Sequence, residues 1–325
     1  MTHVKPDGDG LGCMAALRLW LLAEGKIAAI IVPTPPPAKY AFLDPGGAVQ
    51  VAGVDVNPGS IEPPDLVCVV DTGTRQQLGT MRGFVEGCGA PVLVVDHHRT
   101  QDPIADWLLV DPEAAACAMI VHRLLLEAGA EMTAEMAGYL LTGLATDTDW
   151  FHLPNTGPEA LRLAASLVEA GARPSEIHQR LYANAELSKV RLLGLALGTI
   201  RPALGGRAMV MRLTRDLFHE AGVTEANTED LINECMKVRG AEAAVMLVEG
   251  EDGQIHVSLR SRPGVNILQV AERFGGGGHV RAAGLRLAGS LDEAEAKVLE
   301  AVRAALSAAG PPREPQAGPE EDGSA

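Results

Sequence analysis

The sequence predicts an α/β protein: an N-terminal, doubly wound, mostly parallel sheet, then a smaller C-terminal α/β domain, joined by a helical linker. Three observations predict it. Short β-rich runs at residues 66–71 ("LVCVVD") and 91–96 ("PVLVVD") end in aspartate and alternate with longer helical patterns. Aromatics make up only 3% of the chain, so Ala, Leu, Val and Gly must fill the core, as in helix-covered parallel sheets. From about Arg201 the wording changes, and a second set of strands begins.

The elements follow in order. Residues 11–26 and 115–129 have helical patterns that stop at or near glycine. "VPTPPPAKY", residues 32–40, reads as a surface loop because proline cannot serve a central strand or a helix interior. Residues 133–144 read as helix, and "LATDTDWFHLPNTGPEA" then carries carboxylates into a loop. A capped helix should follow, with Thr156 as N-cap and Pro158 in the first turn. The stretch 174–198 reads as one long helix whose second half connects the domains. "RAMVMRLT", "AEAAVMLVEG" and "QIHVSLRSR" read as strands, with a helix in "TEDLINECMKVRG". The expected division is 1–185 metal-binding catalytic domain, 186–204 helical linker, 205–309 substrate-binding domain and 310–325 disordered acidic tail.

A net charge of −15 argues against coating long nucleic acid, but not against a small phosphorylated substrate. The five cysteines form no CxxC pair and read as small buried hydrophobes in a reducing compartment. No signal peptide and no membrane-length apolar run is evident. The expected location is cytoplasmic, with no membrane partner.

Four clusters concentrate the chemistry: His3, Asp7 and Asp9 in "HVKPDGDG"; Asp71 in "VVDTG"; Asp96, His97 and His98; and Asp147 with Asp149 in "TDTD". Pro6, Gly8 and Gly10 should force a turn that aims both carboxylates of the DxD into one site. One ion needs three or four ligands, and more are present. Mixed carboxylate and imidazole donors suit manganese, zinc, iron or cobalt, whereas magnesium prefers oxygen. A shared carboxylate would hold two ions roughly 3.5–4 Å apart, the spacing of phosphoryl chemistry. Taken singly, each acid reads as a turn or cap residue; three strand-end loops and a His-Asp-Asp turn together read as a metal site. Late in the chain, "FGGGGHVRAAG" and "SLRSR" suggest a phosphate grip: Gly276, Gly277 and Gly278 with room for positive φ, His279, and Arg260, Ser261 and Arg262 on one strand.

"HVKPDGDGLGC", "VVDTG", "VVDHHRT" and "LATDTDWF", with "HVSLRSRPGVNILQVAERFGGGGHVRAAG" near the end, resemble the DHH phosphoesterase superfamily and its DHH-associated C-terminal domain. Length and second-domain wording are most similar to the bacterial nanoRNases. The resemblance implies hydrolysis of short oligoribonucleotides and of 3′-phosphoadenosine 5′-phosphate with two manganese ions, magnesium, cobalt or zinc being alternatives. It implies that His3 and Asp7 hold one ion, that Asp9, His97 and Asp147 hold the other, and that Asp71 bridges them. Asp96 would orient an imidazole, His98 would sit beside the scissile phosphate, and Arg99 would bind substrate. The two domains would form the walls of a cleft, and a homodimer is compatible with the pattern. Close alternatives are a cyclic dinucleotide phosphodiesterase and an exopolyphosphatase or pyrophosphatase; from another class comes a non-catalytic nucleotide sensor. Three departures stand out. Only Met1 and Thr2 precede His3, where relatives usually carry a helix and a strand: either the start is set too far downstream or a central strand has been lost, and the second case would leave His3 on a frayed end. Cys13 replaces a usual Ser. Asp149 and Trp150 replace a usual Gly and a small residue.

Overall fold

The computed structural model describes residues 1–224, 228 and 230–310. The chain divides into two compact units, Met1–Asn184 and a second that begins at Ala185. The first unit opens with α1 (Gly8–Ala23), β1 (Ile30–Val32), β2 (Val49–Val51), β3 (Val67–Val70) and α2 (Arg82–Gly87). β4 (Val92–Asp96), β5 (Trp107–Val110), α3 (Cys117–Glu127), α4 (Ala134–Asp147), α5 (Pro158–Glu169) and α6 (Pro174–Tyr182) complete it.

The strand pairs of this unit are parallel, as expected, but they form two sheets rather than one: β1–β2, and β3–β4–β5. Val67, Val69, Val92 and Val94 face a cluster with Leu78 and Val85, while Val70 and Val95 face the larger cluster built on α1, α3 and α4. Burial on both faces explains why these runs read as apolar throughout. Met1 touches the clusters of both sheets. Its ammonium donates to the Cys68 carbonyl at 2.8 Å, and its carbonyl accepts from Val70 N–H at 2.9 Å. Thr2 is fully buried. The backbone before His3 is therefore held along β3 by a ladder of hydrogen bonds, not frayed.

Gly25 and Gly129 take φ of 70° and 74° just after α1 and α3, closing both helices where the sequence places their ends. Other local expectations need correction. Val32 ends β1, and a 3₁₀ turn begins at Ala38, once the prolines stop removing N–H donors. The N-cap of α5 is Gly157, not Thr156, whose Oγ1 is buried and accepts no hydrogen bond from the helix; Pro158 is in the first turn as expected. The stretch 174–198 is two helices, since each half serves its own core: Ile177 and Leu181 in the first unit, Leu192 and Ala196 in the second.

The second unit comprises α7 (Leu187–Gly198), β6 (Arg201–Ala203), β7 (Ala208–Leu213), α8 (Arg215–Ala221), α9 (Leu231–Met236) and β8 (Ala243–Glu249). β9 (Ile255–Ser261), α10 (Leu268–Glu272), β10 (Gly277–His279), β11 (Ala282–Leu287) and α11 (Leu291–Ala308) follow. α7 packs into this unit's core instead of standing as a free connector. The sheet order is β10-β11-β9-β8-β7-β6, antiparallel except for the β7–β8 pair. Val245, Leu247, Val257 and Leu259 face α10 and α11, whereas Met209, Met211, Ala244 and Met246 face α7, α8 and α9. The expected acidic tail falls, beyond Gly310, outside the described residues.

Candidate metal centre

The first acids sit on a helix start, not on the expected glycine turn. Asp7 is the N-cap of α1, and its Oδ1 accepts from the N–H groups of Asp9 and Gly10 at 3.0 and 3.1 Å. Gly8 and Gly10 belong to the helix; what they supply is room. A Cβ on Gly8 would lie 2.4 Å from Thr146 Oγ1, and one on Gly10 2.3 Å from Thr2 Oγ1. Asp9 is wholly buried. Its Oδ2 accepts from Cys117 N–H at 2.5 Å and its Oδ1 from Ala118 N–H at 2.9 Å, in the first turn of α3. Gly143 of α4 makes that approach feasible, since a Cβ there would fall 2.6 Å from Asp9 Oδ1. Asp147 is the last residue of α4, where the sequence suggests a loop.

Two imidazoles face these acids. His97 Nδ1 donates to the Ala114 carbonyl at 3.1 Å, which leaves Nε2 3.4 Å from Asp71 Oδ1 and 3.5 Å from Asp147 Oδ2. His3 repeats the scheme: Nδ1 meets the Val4 carbonyl at 2.8 Å, and Nε2 lies 3.4 Å from Asp71 Oδ2 and 3.6 Å from Asp7 Oδ1. A carbonyl accepts only, so each neutral ring keeps its proton on Nδ1 and offers Nε2 as a donor atom. Asp71 follows β3 in the left-handed region at φ 60°, is 3% exposed, and gives its N–H to the Val95 carbonyl. Strain of this kind gathers at functional sites. Three groups have ligand atoms within 4.8 Å of one another: His3, Asp7 and Asp71; Asp9, His97 and Asp147; Asp71, His97 and His98.

Without a cation the acids must borrow protons. Burial, joined by the charges of Asp71, Asp147 and Asp7, pushes Asp9 well above the carboxylate range. Burial, with Asp71 and Asp7 adding to it against His97, lifts Asp147 to about 6. Burial alone would lower both histidines. The carboxylates outweigh it, taking His3 to about 11 through Asp7 and Asp71, and His97 to about 10 through Asp71, Asp9 and Asp147. Asp71 Oδ1 is buried and accepts no hydrogen bond of good geometry, despite His97 at 3.4 Å. An orphaned buried carboxylate oxygen among mixed O and N donors fits a divalent cation.

Asp96 plays a different part. Its Oδ1 accepts from His97 N–H at 2.8 Å and from His98 Nδ1 at 2.7 Å, and its Oδ2 from Gln101 Nε2 at 2.6 Å. Those bonds hold it below the usual range against its burial, and the bond to Asp96 raises His98. His98 is half-exposed beside His97, with ring centroids 4.6 Å apart. Arg99 is exposed and paired with Glu113 at 2.7 Å.

In the second unit, Arg260 lines a cavity of about 250 Å³ with Thr228, Asp230, Ile232, Met246 and Ser258. Ser261 Oγ donates to the Val265 carbonyl, and the Arg262 guanidinium donates to the carbonyls of Ala241 and Met236, so both are engaged within the fold. The glycine run is less a free loop than an edge strand. Gly277 to His279 pair with β11, and Cβ atoms on Gly276 or Gly278 would meet the backbone of β11 at 2.3 and 2.5 Å. Of the three, only Gly278 has positive φ, 138°. His279 is exposed.

Sequence reasoning missed Gly143, Gln101 and the α3 N–H groups. Only Gly143 left a trace, as a glycine in the middle of a helical pattern.

Comparison with known proteins identifies the family. Residues 1–144 match the DHH family, N-terminal domain, and residues 205–308 match the DHHA1 domain. A "Bifunctional oligoribonuclease and PAP phosphatase NrnA" of Thermus thermophilus is 37% identical over 95% of this chain and 90% of its own length. A protein of the same name from Bacillus subtilis is 30% identical over 90% of each. The crystal structure of an exopolyphosphatase-related protein from Bacteroides fragilis shares the fold, with TM-score 0.85 and 24% identity over 93% of this chain and 90% of that one. Among the described residues no helix is long and apolar enough to cross a membrane. The chain belongs to the DHH family of phosphoesterases and is a hydrolase whose DHH N-terminal domain is followed by a DHHA1 domain.

Proposed function

We propose that this protein is a manganese-dependent phosphoesterase that hydrolyses short oligoribonucleotides and 3′-phosphoadenosine 5′-phosphate. The observation that carries the reading is Asp71: one carboxylate oxygen faces His97 and the other faces His3, so a single buried acid is shared between two ligand groups. His3 and Asp7 would hold one ion, Asp9, His97 and Asp147 the other, with Asp71 common to both. Bound ions would neutralise the phosphate and acidify water. The protein's own groups do the rest. Asp96 orients His98, which is accessible enough to stabilise developing charge or assist the leaving group. Arg260, His279 and the strand at Gly276 to Gly278 provide the nucleotide grip. Arg99, Ser261 and Arg262 would join only by leaving their present partners. The names of the Thermus and Bacillus relatives support this substrate class over long nucleic acid.

The test uses pApA and 3′-phosphoadenosine 5′-phosphate with Mn²⁺. Each substrate consumes one water, yielding two AMP from the first and AMP plus phosphate from the second. Asp71→Ala should lose at least roughly 10³-fold in rate. Equal rates in wild type and variant would remove Asp71 from the reaction. Turnover of pyrophosphate alone would replace the nucleotide reading.

A further inference from the structure

The segment between α4 and α5 carries a group that none of the assigned roles uses. Three consecutive non-glycine residues, Asp149, Trp150 and Phe151, have φ of 46°, 54° and 66°. Such a left-handed turn is unfavourable for L-residues and persists only where its surroundings enforce it. Here Trp150 N–H donates to the Ala145 carbonyl at 2.7 Å and Phe151 N–H to Thr148 Oγ1 at 3.1 Å. The indole lies against the rings of His178 and Tyr182, with centroids at 5.0 and 6.1 Å. The turn brings the chain back, so that Asn155 Nδ2 donates to the Asp147 carbonyl at 3.4 Å and to the Ala115 carbonyl at 3.0 Å. Both partners are carbonyl oxygens, which settles which end of the amide faces them.

The neighbours of Ala115 give this amide its meaning. Ala114 holds the His97 ring through its carbonyl, while Cys117 and Ala118 hold both oxygens of Asp9. Residues 114–118 therefore orient two members of the Asp9, His97 and Asp147 group. Asn155 ties the third to the same short segment.

We propose that Asn155 is a positioning residue of that cation site, fixing the spacing of Asp147 against His97 and Asp9; the proposal rests on the metal-centre reading. Asn155 is itself exposed, so its replacement opens no core. The experiment titrates metal-free protein with MnCl₂ by calorimetry and records the melting of the metal-free form. In Asn155→Ala and Asn155→Leu, one of two manganese ions should bind roughly 10- to 100-fold more weakly, the other as in wild type. The melting temperature should stay near that of wild type. Unchanged affinity for both ions would overturn the positioning role, whatever happens to the melting temperature. Equal weakening of both ions would overturn it too, since the effect would then not be local to one group. A wild type that takes up no manganese would overturn the metal reading along with it.

Discussion

Two buried acids, one in each unit, have opposite surroundings. Glu295 of α11 is 6% exposed and meets two guanidinium groups, Arg201 and Arg212, the latter at 2.6 Å. Asp71 is 3% exposed and has one oxygen with no hydrogen-bond donor, and Asp9, Asp147 and Asp7 crowd the same region. The first arrangement is closed: its charges balance, and the Arg212 guanidinium is held charged even more firmly than usual by Glu295 and Asp292, despite its burial. The second lacks positive charge and makes it up with protons on His3 and His97. Counting the partners of a buried charge therefore separates a structural ion pair from a cluster whose donor set fits a cation.

The largest expected effect breaks the geometry of the open site. Gly143→Ala would place a methyl 2.6 Å from Asp9 Oδ1 and 3.1 Å from Asp9 Cα, where backbone cannot yield. Phosphoesterase rate should drop by about 100-fold or more, close to 3 kcal/mol, measured with saturating Mn²⁺. A rate near wild type would show that α1 and α4 can part without cost. Next comes the closed site. Glu295→Ala leaves two arginines facing each other and should destabilise the second unit by roughly 2 kcal/mol, less than for a fully buried pair because both guanidinium groups reach solvent. Manganese uptake should be unaltered, and a parallel loss would mean that the two acids are not separate cases.

The smallest effect is a pH dependence. Folded pKa values of about 11 for His3 and about 10 for His97 lie above the ordinary 6.5, so the folded protein holds protons that the unfolded chain releases. Their stabilisation is complete below about pH 6.5. It is lost as pH rises toward 10 and 11. Asp147, raised to about 6, acts with the same sign at lower pH. Metal-free protein should thus lose stability between pH 7 and 10, on the order of 1 kcal/mol once the sharing of carboxylates is allowed for. Melting curves at several pH values, with and without Mn²⁺, check this; a flat metal-free profile would contradict the proton-borrowing account.

Much of this was legible beforehand. Apolar runs ending in Asp71 and Asp96 announce buried parallel strands, and they do so because both faces are covered. The histidine and aspartate clusters announce the chemistry. The turn expected around Gly8 and Gly10 was misread because glycine marks space as well as bends. Here the space is for Thr146 and Thr2. Gly276 and Gly278 likewise leave space, in their case for the backbone of β11.

What the chain determined by itself was local: apolar periodicity, proline and glycine breaks, and the inventory of ligand-bearing residues, all of which depend on near neighbours in sequence. Only the tertiary structure decided which acids stand unpaired. The α3 N–H groups reach Asp9 across 108 and 109 positions, and the contest between burial and charge is settled by distances that no stretch of sequence records.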